Sequence, residues 1–132
     1  MSCRAVRFQM LSVMIVDDEE MLHQLYGKLL ELKGCRVVAS AYNGEEAVNV
    51  FRDLEQKPDL VLMDHRMPLK NGLEAMREIV GMDGSAQVVF LTADASVADQ
   101  AMAAGAADVL LKPFRMDVLH RTVTDVAART GK

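Results

Sequence analysis

Five short apolar runs, separated by segments with helical spacing, constrain the fold of this chain more than any other feature of its sequence. The runs lie at 12–16, 37–41, 60–63, 88–91 and 109–111. Elsewhere, apolar residues recur at three- and four-residue intervals, which is the spacing of one helix face. This spacing predicts helices over 19–33, 45–54, 73–80, 97–104 and 116–129. The runs are continuously apolar, as in strands covered on both faces, so the order predicts one α/β domain with a parallel sheet between helix layers.

The composition fits one globular domain and excludes several classes of function. The chain has 132 residues, of which 51% are hydrophobic and 26% are charged. Its net charge of −4 argues against direct binding of nucleic acid, because domains that bind nucleic acid are usually basic. Cys3 and Cys35 are too few and too far apart for a disulfide framework or a cysteine-based zinc site.

The chain is predicted to consist of one domain with two short ends. Residues 1–10 look like a leader, residues 11–128 carry the predicted elements, and residues 129–132 form a tail. The longest apolar stretch near the start, 10–16, is far shorter than the ~20 residues that span a bilayer. No small-residue cleavage site follows it, so the sequence indicates neither a membrane anchor nor a signal peptide. With the low cysteine content, these features favour the cytoplasm.

Polar side chains stand where four of the five predicted strands end. Asp17 and Asp18 follow the first strand, and Asp64 follows the third. Thr92 follows the fourth strand, and Lys112 follows the fifth. The carboxyl ends of parallel strands share one edge of a sheet, and in open α/β folds that edge carries the ligand site. The sequence therefore predicts one site that holds three carboxylates, a hydroxyl and an ammonium group.

The charges of this predicted site indicate phosphoryl chemistry with a divalent metal. Two carboxylates about 4 Å apart repel each other by about 4 kcal/mol at an effective dielectric of 20, so three of them need a cation or a raised pKa. Oxygen ligands that leave room for water favour Mg²⁺. The metal, the Lys112 ammonium and the Thr92 hydroxyl would together neutralise a transferring phosphoryl group. Asp64, on a strand expected to lie centrally, is the best candidate for a nucleophile that forms an aspartyl phosphate.

These residues, in this order, resemble the motifs of the receiver domain of two-component response regulators. The matching segments are VDDEE, VLMDHRMP, KNGLE, LTAD and KPF, which contain Asp17, Asp18, Asp64, Gly72, Thr92 and Lys112. Each short motif is weak alone, but five of them in order, over about 11–128, form a specific signal. The resemblance implies a flavodoxin-like fold, a doubly wound five-stranded parallel sheet of order 2-1-3-4-5 with five helices.

The resemblance also implies how a phosphoryl group would be handled. Asp64 would accept it from a phosphohistidine on a sensor histidine kinase or a histidine phosphotransfer protein. Thr92 and Lys112 would contact the phosphoryl group, and the Lys112–Pro113 peptide bond would be cis. Such a domain catalyses only its own phosphorylation and dephosphorylation. It would switch a surface that binds a downstream effector, and it would act as a monomer or as a phosphorylation-dependent dimer.

The metal site implied by the resemblance uses the same edge of the sheet. Asp18, Asp64 and the backbone carbonyl of Arg66 would bind Mg²⁺, and Asp17 would act through water. Arg66 also occupies a position, two residues after the acceptor, that varies in the family and tunes dephosphorylation. Asp94 occupies the facing variable position, two residues after Thr92. We predict that Arg66 and Asp94 pair across the mouth of the site, hinder the attacking water and lengthen the phosphorylated lifetime.

Besides Arg66, a second departure from the family and three other functions bear on this interpretation. Receivers often have Tyr or Phe three residues before the lysine, where this chain has Val109, so the chain lacks the aromatic ring of a relay from Thr92 to the surface. A receiver that binds partners without phosphorylation therefore stays open. A phosphatase of the haloacid dehalogenase type would need an acid at the position of Arg66. A nucleotide- or flavin-binding module would carry a GxxxxGK or GxGxxG motif, and neither occurs.

The three histidines carry no predicted role. We expect His23 and His120 at the surface or at its boundary, and we assign them no metal. His65 directly follows the acceptor. We expect its side chain to point away from the site, because successive side chains of an extended chain face opposite sides.

Overall fold

The computed structural model describes residues 11–129, in which five strands alternate with five helices. In chain order the elements are β1 (Leu11–Val16), α1 (Glu20–Leu32), β2 (Cys35–Ala41), α2 (Gly44–Asp53), β3 (Leu60–Asp64), α3 (Gly72–Met82), β4 (Val88–Thr92), α4 (Ala95–Ala103), β5 (Asp108–Leu111) and α5 (Met116–Arg129). The type and order predicted for each element are confirmed, and bounds that differ do so by one or two residues. The leader predicted at 1–10 and residues 130–132 of the predicted tail lie outside the described residues.

The strands form one parallel sheet in the order β2-β1-β3-β4-β5. This is the flavodoxin-like order that the sequence resemblance implied. The central strand β3 pairs with β1 on one side and with β4 on the other, and Asp64 at its end lies opposite Leu91. The end of β3 therefore stands between the ends of its two neighbours, which makes it the middle of the sheet edge where the polar residues were expected.

Alternate side chains of the central strands enter two separate cores, one on each face of the sheet. One core contains Met63 and Phe90 and is covered by α2, α3 and α4. The other contains Leu62 and Leu91 and is covered by α1 and α5. All residues of β3 and β4 are buried, which explains why their sequences are continuously apolar up to the last position. Within residues 11–129, no helix has both the length and the apolar composition that crossing a membrane requires.

Candidate functional site

The polar residues of four strand ends surround one cleft of about 560 Å³. The side chains from the predicted site that line it are Asp18, Asp64, Arg66, Thr92, Asp94 and Lys112. Asp17, the remaining predicted residue, is 1% exposed. The structure thus brings together the carboxylates, hydroxyl and ammonium that the order of strands predicted, and it buries two of the three carboxylates, those of Asp17 and Asp64.

Asp64 and Lys112 form an ion pair in the middle of this cleft. Asp64 is the last residue of β3 and is 5% exposed. Its Oδ1 lies 2.5 Å from Nζ of Lys112. The lysine is held at its backbone as well, since its N–H donates to the carbonyl of Thr92 over 2.8 Å. The Lys112–Pro113 peptide bond is cis, as the resemblance implied.

Thr92 ends the buried strand β4 with its side chain 4% exposed. Its hydroxyl oxygen accepts a hydrogen bond of 3.1 Å from the backbone N–H of Asp94. The hydroxyl proton is donated to no residue within 11–129, so it is available to a ligand in the cleft. The threonine is thus held by its neighbour while it keeps a donor for an oxygen bound beside Asp64.

The predicted ion pair between Arg66 and Asp94 is wrong. Both residues line the cleft, but no ion pair joins them. Asp94 instead caps α4, where its Oδ1 accepts from the N–H of Ser96 at 2.9 Å and from the Ser96 hydroxyl at 2.8 Å. These hydrogen bonds lower the pKa of the Asp94 carboxyl. The N–H groups in the first turn of a helix have no partner within the helix. They donate to the Asp94 carboxylate, which therefore caps α4 and does not pair with Arg66.

Asp17 is a buried acid, and only one of its two carboxylate oxygens accepts a hydrogen bond within the described part of the chain. Its Oδ1 accepts from the N–H of Glu19 at 2.9 Å, whereas its Oδ2 is buried without a hydrogen-bond partner in the described part of the chain. Burial raises the pKa of Asp17 to about 6, and the nearby charges of Asp64 and Asp18 act in the same direction. The Glu19 N–H and the Lys112 ammonium oppose this rise in pKa.

The residues of the β1–α1 loop fit a hard divalent cation. Carboxylate oxygens of Asp17, Asp18 and Glu19 can lie within 4.8 Å of one another. They are all oxygen ligands, and the buried Oδ2 of Asp17 lacks the partner that a cation or its water would supply. Glu19 was missed as a candidate, although it is the third acid of the VDDEE segment.

Two glycines let the neighbouring loops approach the site. A Cβ at Gly72 would overlap the carbonyl oxygen of Asp64, and the Gly72 N–H donates to the carbonyl of His65 at 2.8 Å. Gly44 stands in the same relation to Lys70, since its N–H donates to the Lys70 carbonyl at 2.9 Å and a Cβ there would overlap that oxygen. Gly72 was singled out in the sequence, whereas Gly44 was not.

The prediction that His23 lies at the surface or its boundary is wrong. His23 is 7% exposed, and its Nε2 lies 2.8 Å from the carbonyl oxygen of Asp17. Its ring stacks on Tyr42 with the centroids 4.1 Å apart. The signal was present in the helical spacing, because His23 shares the buried stripe of α1 with Tyr26 and Leu30.

The other two histidines lie at boundaries. His120 is half-buried on α5, as expected. His65 is half-buried at the rim of the cleft, with its ring 5.6 Å from that of Phe90. Burial lowers the pKa of the His65 imidazole.

Sequence comparison assigns the family. The response regulator receiver domain matches residues 13–124 of this chain. The chain belongs to the response regulator receiver family. Among its relatives, the chemotaxis protein CheY of Bacillus subtilis is 37% identical over 107 residues, which cover 80% of this chain and 88% of that protein. The chain is therefore a CheY-like receiver domain of two-component signalling, as the order of its motifs indicated.

Solved structures of receivers share the fold. A response regulator receiver domain protein from Clostridium thermocellum superposes with a TM-score of 0.85 at 27% identity, covering 92% of this chain and 98% of that one. CheY in a CheX–CheY–BeF₃–Mg²⁺ complex from Borrelia burgdorferi has a TM-score of 0.83 at 24% identity, with 88% of each chain covered. At that identity the second likeness shows the fold alone.

Proposed function

We propose that this receiver accepts a phosphoryl group on Asp64 from a phosphohistidine, in a reaction that requires Mg²⁺. The observation that carries the proposal is the setting of Asp64 at the end of the central strand. Its carboxylate opens into the cleft, lies 2.5 Å from the Lys112 ammonium, and shares the cleft with Asp18 and Thr92. A carboxylate nucleophile, a fixed cation and a free hydroxyl donor are the groups that phosphoryl transfer needs.

The transfer needs only the groups of this cleft, the phosphohistidine donor and a proton from solvent. A carboxylate oxygen of Asp64 attacks phosphorus as the bond from phosphorus to the donor imidazole nitrogen breaks. The imidazole keeps the electron pair of that bond and takes a proton from solvent. The Lys112 ammonium, already beside Oδ1, stabilises the charge on the phosphoryl oxygens, and the Thr92 hydroxyl donates to one of them.

The acids of the β1–α1 loop support a requirement for Mg²⁺. We propose that Asp18, Asp64 and the backbone carbonyl of Arg66 hold the ion, and that Asp17 holds it through water. When bound, Mg²⁺ would supply positive charge against the phosphoryl oxygens. The support on this chain is the buried Oδ2 of Asp17 without a partner within 11–129, and the close carboxylate oxygens beside it. The Borrelia burgdorferi CheY complex, which shares the fold, contains Mg²⁺.

The partners follow from the proposed reaction. The phosphoryl donor would be a sensor histidine kinase or a histidine phosphotransfer protein, and the output would be a protein surface that changes with phosphorylation. We propose a cytoplasmic domain that works as a monomer or as a phosphorylation-dependent dimer and modifies only itself. Val109 is half-buried against the core on the α2–α4 side, so this switch operates without an aromatic ring at that position.

The proposal is tested by intact mass after incubation with acetyl phosphate. We expect one phosphoryl adduct on the wild type with Mg²⁺, none without Mg²⁺, and none on Asp64→Asn. Asp53→Asn changes an exposed acid on α2 and should keep the adduct. A wild type that takes no phosphoryl group, even with Mg²⁺, would instead favour a receiver that binds partners independently of phosphorylation.

A further inference from the structure

His23 is a buried histidine that the proposed reaction does not use. It lies in the first half of α1, and its Nε2 is 2.8 Å from the carbonyl oxygen of Asp17 at the start of the β1–α1 loop. A carbonyl oxygen only accepts hydrogen bonds, so Nε2 carries a proton and donates. The side chain of His23 therefore reaches back from the helix to the residue that follows β1.

The ring of His23 is held on its other side by Tyr42. The two rings stack with centroids 4.1 Å apart and an angle of 26° between their planes. Tyr42 is fixed in turn, because its hydroxyl donates to the Glu20 carboxylate at 2.6 Å and its N–H donates to the Glu46 carboxylate at 2.6 Å. The stack thus connects α1 to the segment between β2 and α2, beside the acidic loop.

The hydrogen bond from His23 completes the anchoring of Asp17. The Asp17 N–H donates to the carbonyl of Ala41 at 3.1 Å, and its carbonyl accepts from His23. Its side chain accepts from the Glu19 N–H at 2.9 Å. The direction of the Asp17 and Asp18 carboxylates follows from this backbone, and among residues 11–129 His23 supplies the one anchor that comes from a side chain.

We propose that His23 is a positioning residue for the acidic pair. Its Nε2–H holds the Asp17 carbonyl so that the carboxylates of Asp17 and Asp18 meet the cleft in an arrangement that binds a divalent cation. The groups that orient metal ligands affect metal affinity although they do not touch the metal. The inference rests on the proposed function, because it takes the acidic pair to be the Mg²⁺ site.

Two substitutions separate the donor of His23 from its ring. His23→Phe keeps a ring that can stack on Tyr42 but has no donor. His23→Gln loses the ring but places an amide nitrogen as many bonds from the α-carbon as Nε2. We expect His23→Phe to raise the Kd for Mg²⁺, measured by calorimetry, about three- to tenfold, as for one lost hydrogen bond. We expect His23→Gln to stay within about twofold of the wild type.

The matched control is His120→Phe, which changes a half-buried histidine on α5. The His120 ring nitrogen lies 3.4 Å from the Thr124 hydroxyl of the same helix, so the Kd for Mg²⁺ should not change. Equal Kd values for His23→Phe and the wild type would overturn the inference. Equal losses in His23→Phe and His23→Gln would also overturn it, because a donor placed at the position of Nε2 would then restore none of the affinity.

A second readout needs no metal. Amide hydrogen exchange measured by NMR on the metal-free protein should be faster at Glu19 in His23→Phe and close to the wild type in His23→Gln. An unchanged rate at Glu19, or a uniform rise through the sheet, would overturn the inference. If the wild type binds no Mg²⁺, the proposed function fails, and this exchange comparison still decides whether His23 holds the loop.

Discussion

Leu69 stands in the loop between β3 and α3 with a backbone φ of 70°. The left-handed region disfavours a residue with a branched side chain, whereas asparagine tolerates it. The Leu69 side chain is 79% exposed, so little apolar burial is lost when it is replaced. We expect Leu69→Asn to raise the free energy of unfolding by about 0.5–1 kcal/mol, measured by urea denaturation.

The control for this prediction is Leu32→Asn. Leu32 is 75% exposed and is the last residue of α1, so the same replacement there relieves no left-handed backbone. We expect Leu32→Asn to leave the free energy of unfolding unchanged or slightly lower, since asparagine is the poorer helix former. A gain of equal size in both variants would mean that removing an exposed leucine, and not the backbone strain at Leu69, stabilises the chain.

The residues of the site differ in how far the sequence could predict them. Asp64, Thr92 and Lys112 could be found because parallel strands necessarily bring their carboxyl ends to one edge. The hydrogen bond from His23 to the Asp17 carbonyl could not, because helical spacing indicates a buried face and not the group that a buried donor contacts. The prediction that Arg66 pairs with Asp94 was wrong for a similar reason, since Asp94 accepts hydrogen bonds from the N–H groups of α4, which begins beside it.

At the scale of the element, Lys57 closes the C-terminal end of α2. Its ammonium donates to the carbonyls of Phe51 at 2.6 Å, Arg52 at 3.0 Å and Leu54 at 2.8 Å. It also lies 4.9 Å from the centroid of the Phe51 ring. Carbonyls in the last turn have no partner within the helix, so a donor there stabilises it. We expect Lys57→Met to lower the free energy of unfolding by about 0.5–1.5 kcal/mol.

Lys28→Met is the matched control for Lys57→Met. Lys28 is exposed within α1, and the same loss of an ammonium there should change the free energy of unfolding by less than about 0.5 kcal/mol. Urea denaturation of both variants makes the comparison. Equal effects would contradict the assignment of Lys57 as the helix cap and would point to the change in net charge.

The presence of each helix could be predicted from the sequence, but the residues at which a helix begins and ends depend on its caps. The apolar spacing identifies each helix, but in α1 it does not report the buried face, which contains His23, Tyr26 and Leu30. Two helices begin one residue earlier than predicted, at Gly44 and Gly72, since Asn43 and Asn71 accept from the N–H groups of the first turns. Glycine is required at both positions because a side chain would overlap the backbone of Lys70 or Asp64. Apolar spacing does not report these contacts.

At the scale of the whole molecule, the fold places the Asp17 carboxylate where its charge costs stability in the absence of metal. The parallel order gathers the Asp17, Asp18 and Asp64 carboxylates at one edge, and the Lys112 ammonium lies 2.5 Å from the Asp64 carboxylate. The two cores fix that edge from both faces. The overall architecture could be predicted because it follows from the order of elements, whereas the energetic cost at Asp17 follows from burial.

Asp17 therefore makes the stability of the metal-free protein depend on pH. Its pKa is about 6 in the folded chain, above the usual 3.8, so the folded state binds the proton more tightly than the unfolded state. The stabilisation is present below about pH 4 and is lost as the pH rises through about 6. A shift of this size corresponds to at most about 3 kcal/mol, and solvent near the cleft screens part of it.

Replacing this acid should remove the dependence. Without metal at pH 7, we expect Asp17→Asn to be more stable than the wild type by roughly 1–2 kcal/mol in urea denaturation, and the difference should vanish near pH 4. Asp53→Asn, at an exposed acid of α2, should show no such trend. A constant difference from pH 4 to 7 would contradict the assignment to Asp17. The same excess of Mg²⁺ should stabilise the wild type more than Asp17→Asn, because stabilisation by a ligand rises with the logarithm of its affinity for the folded site.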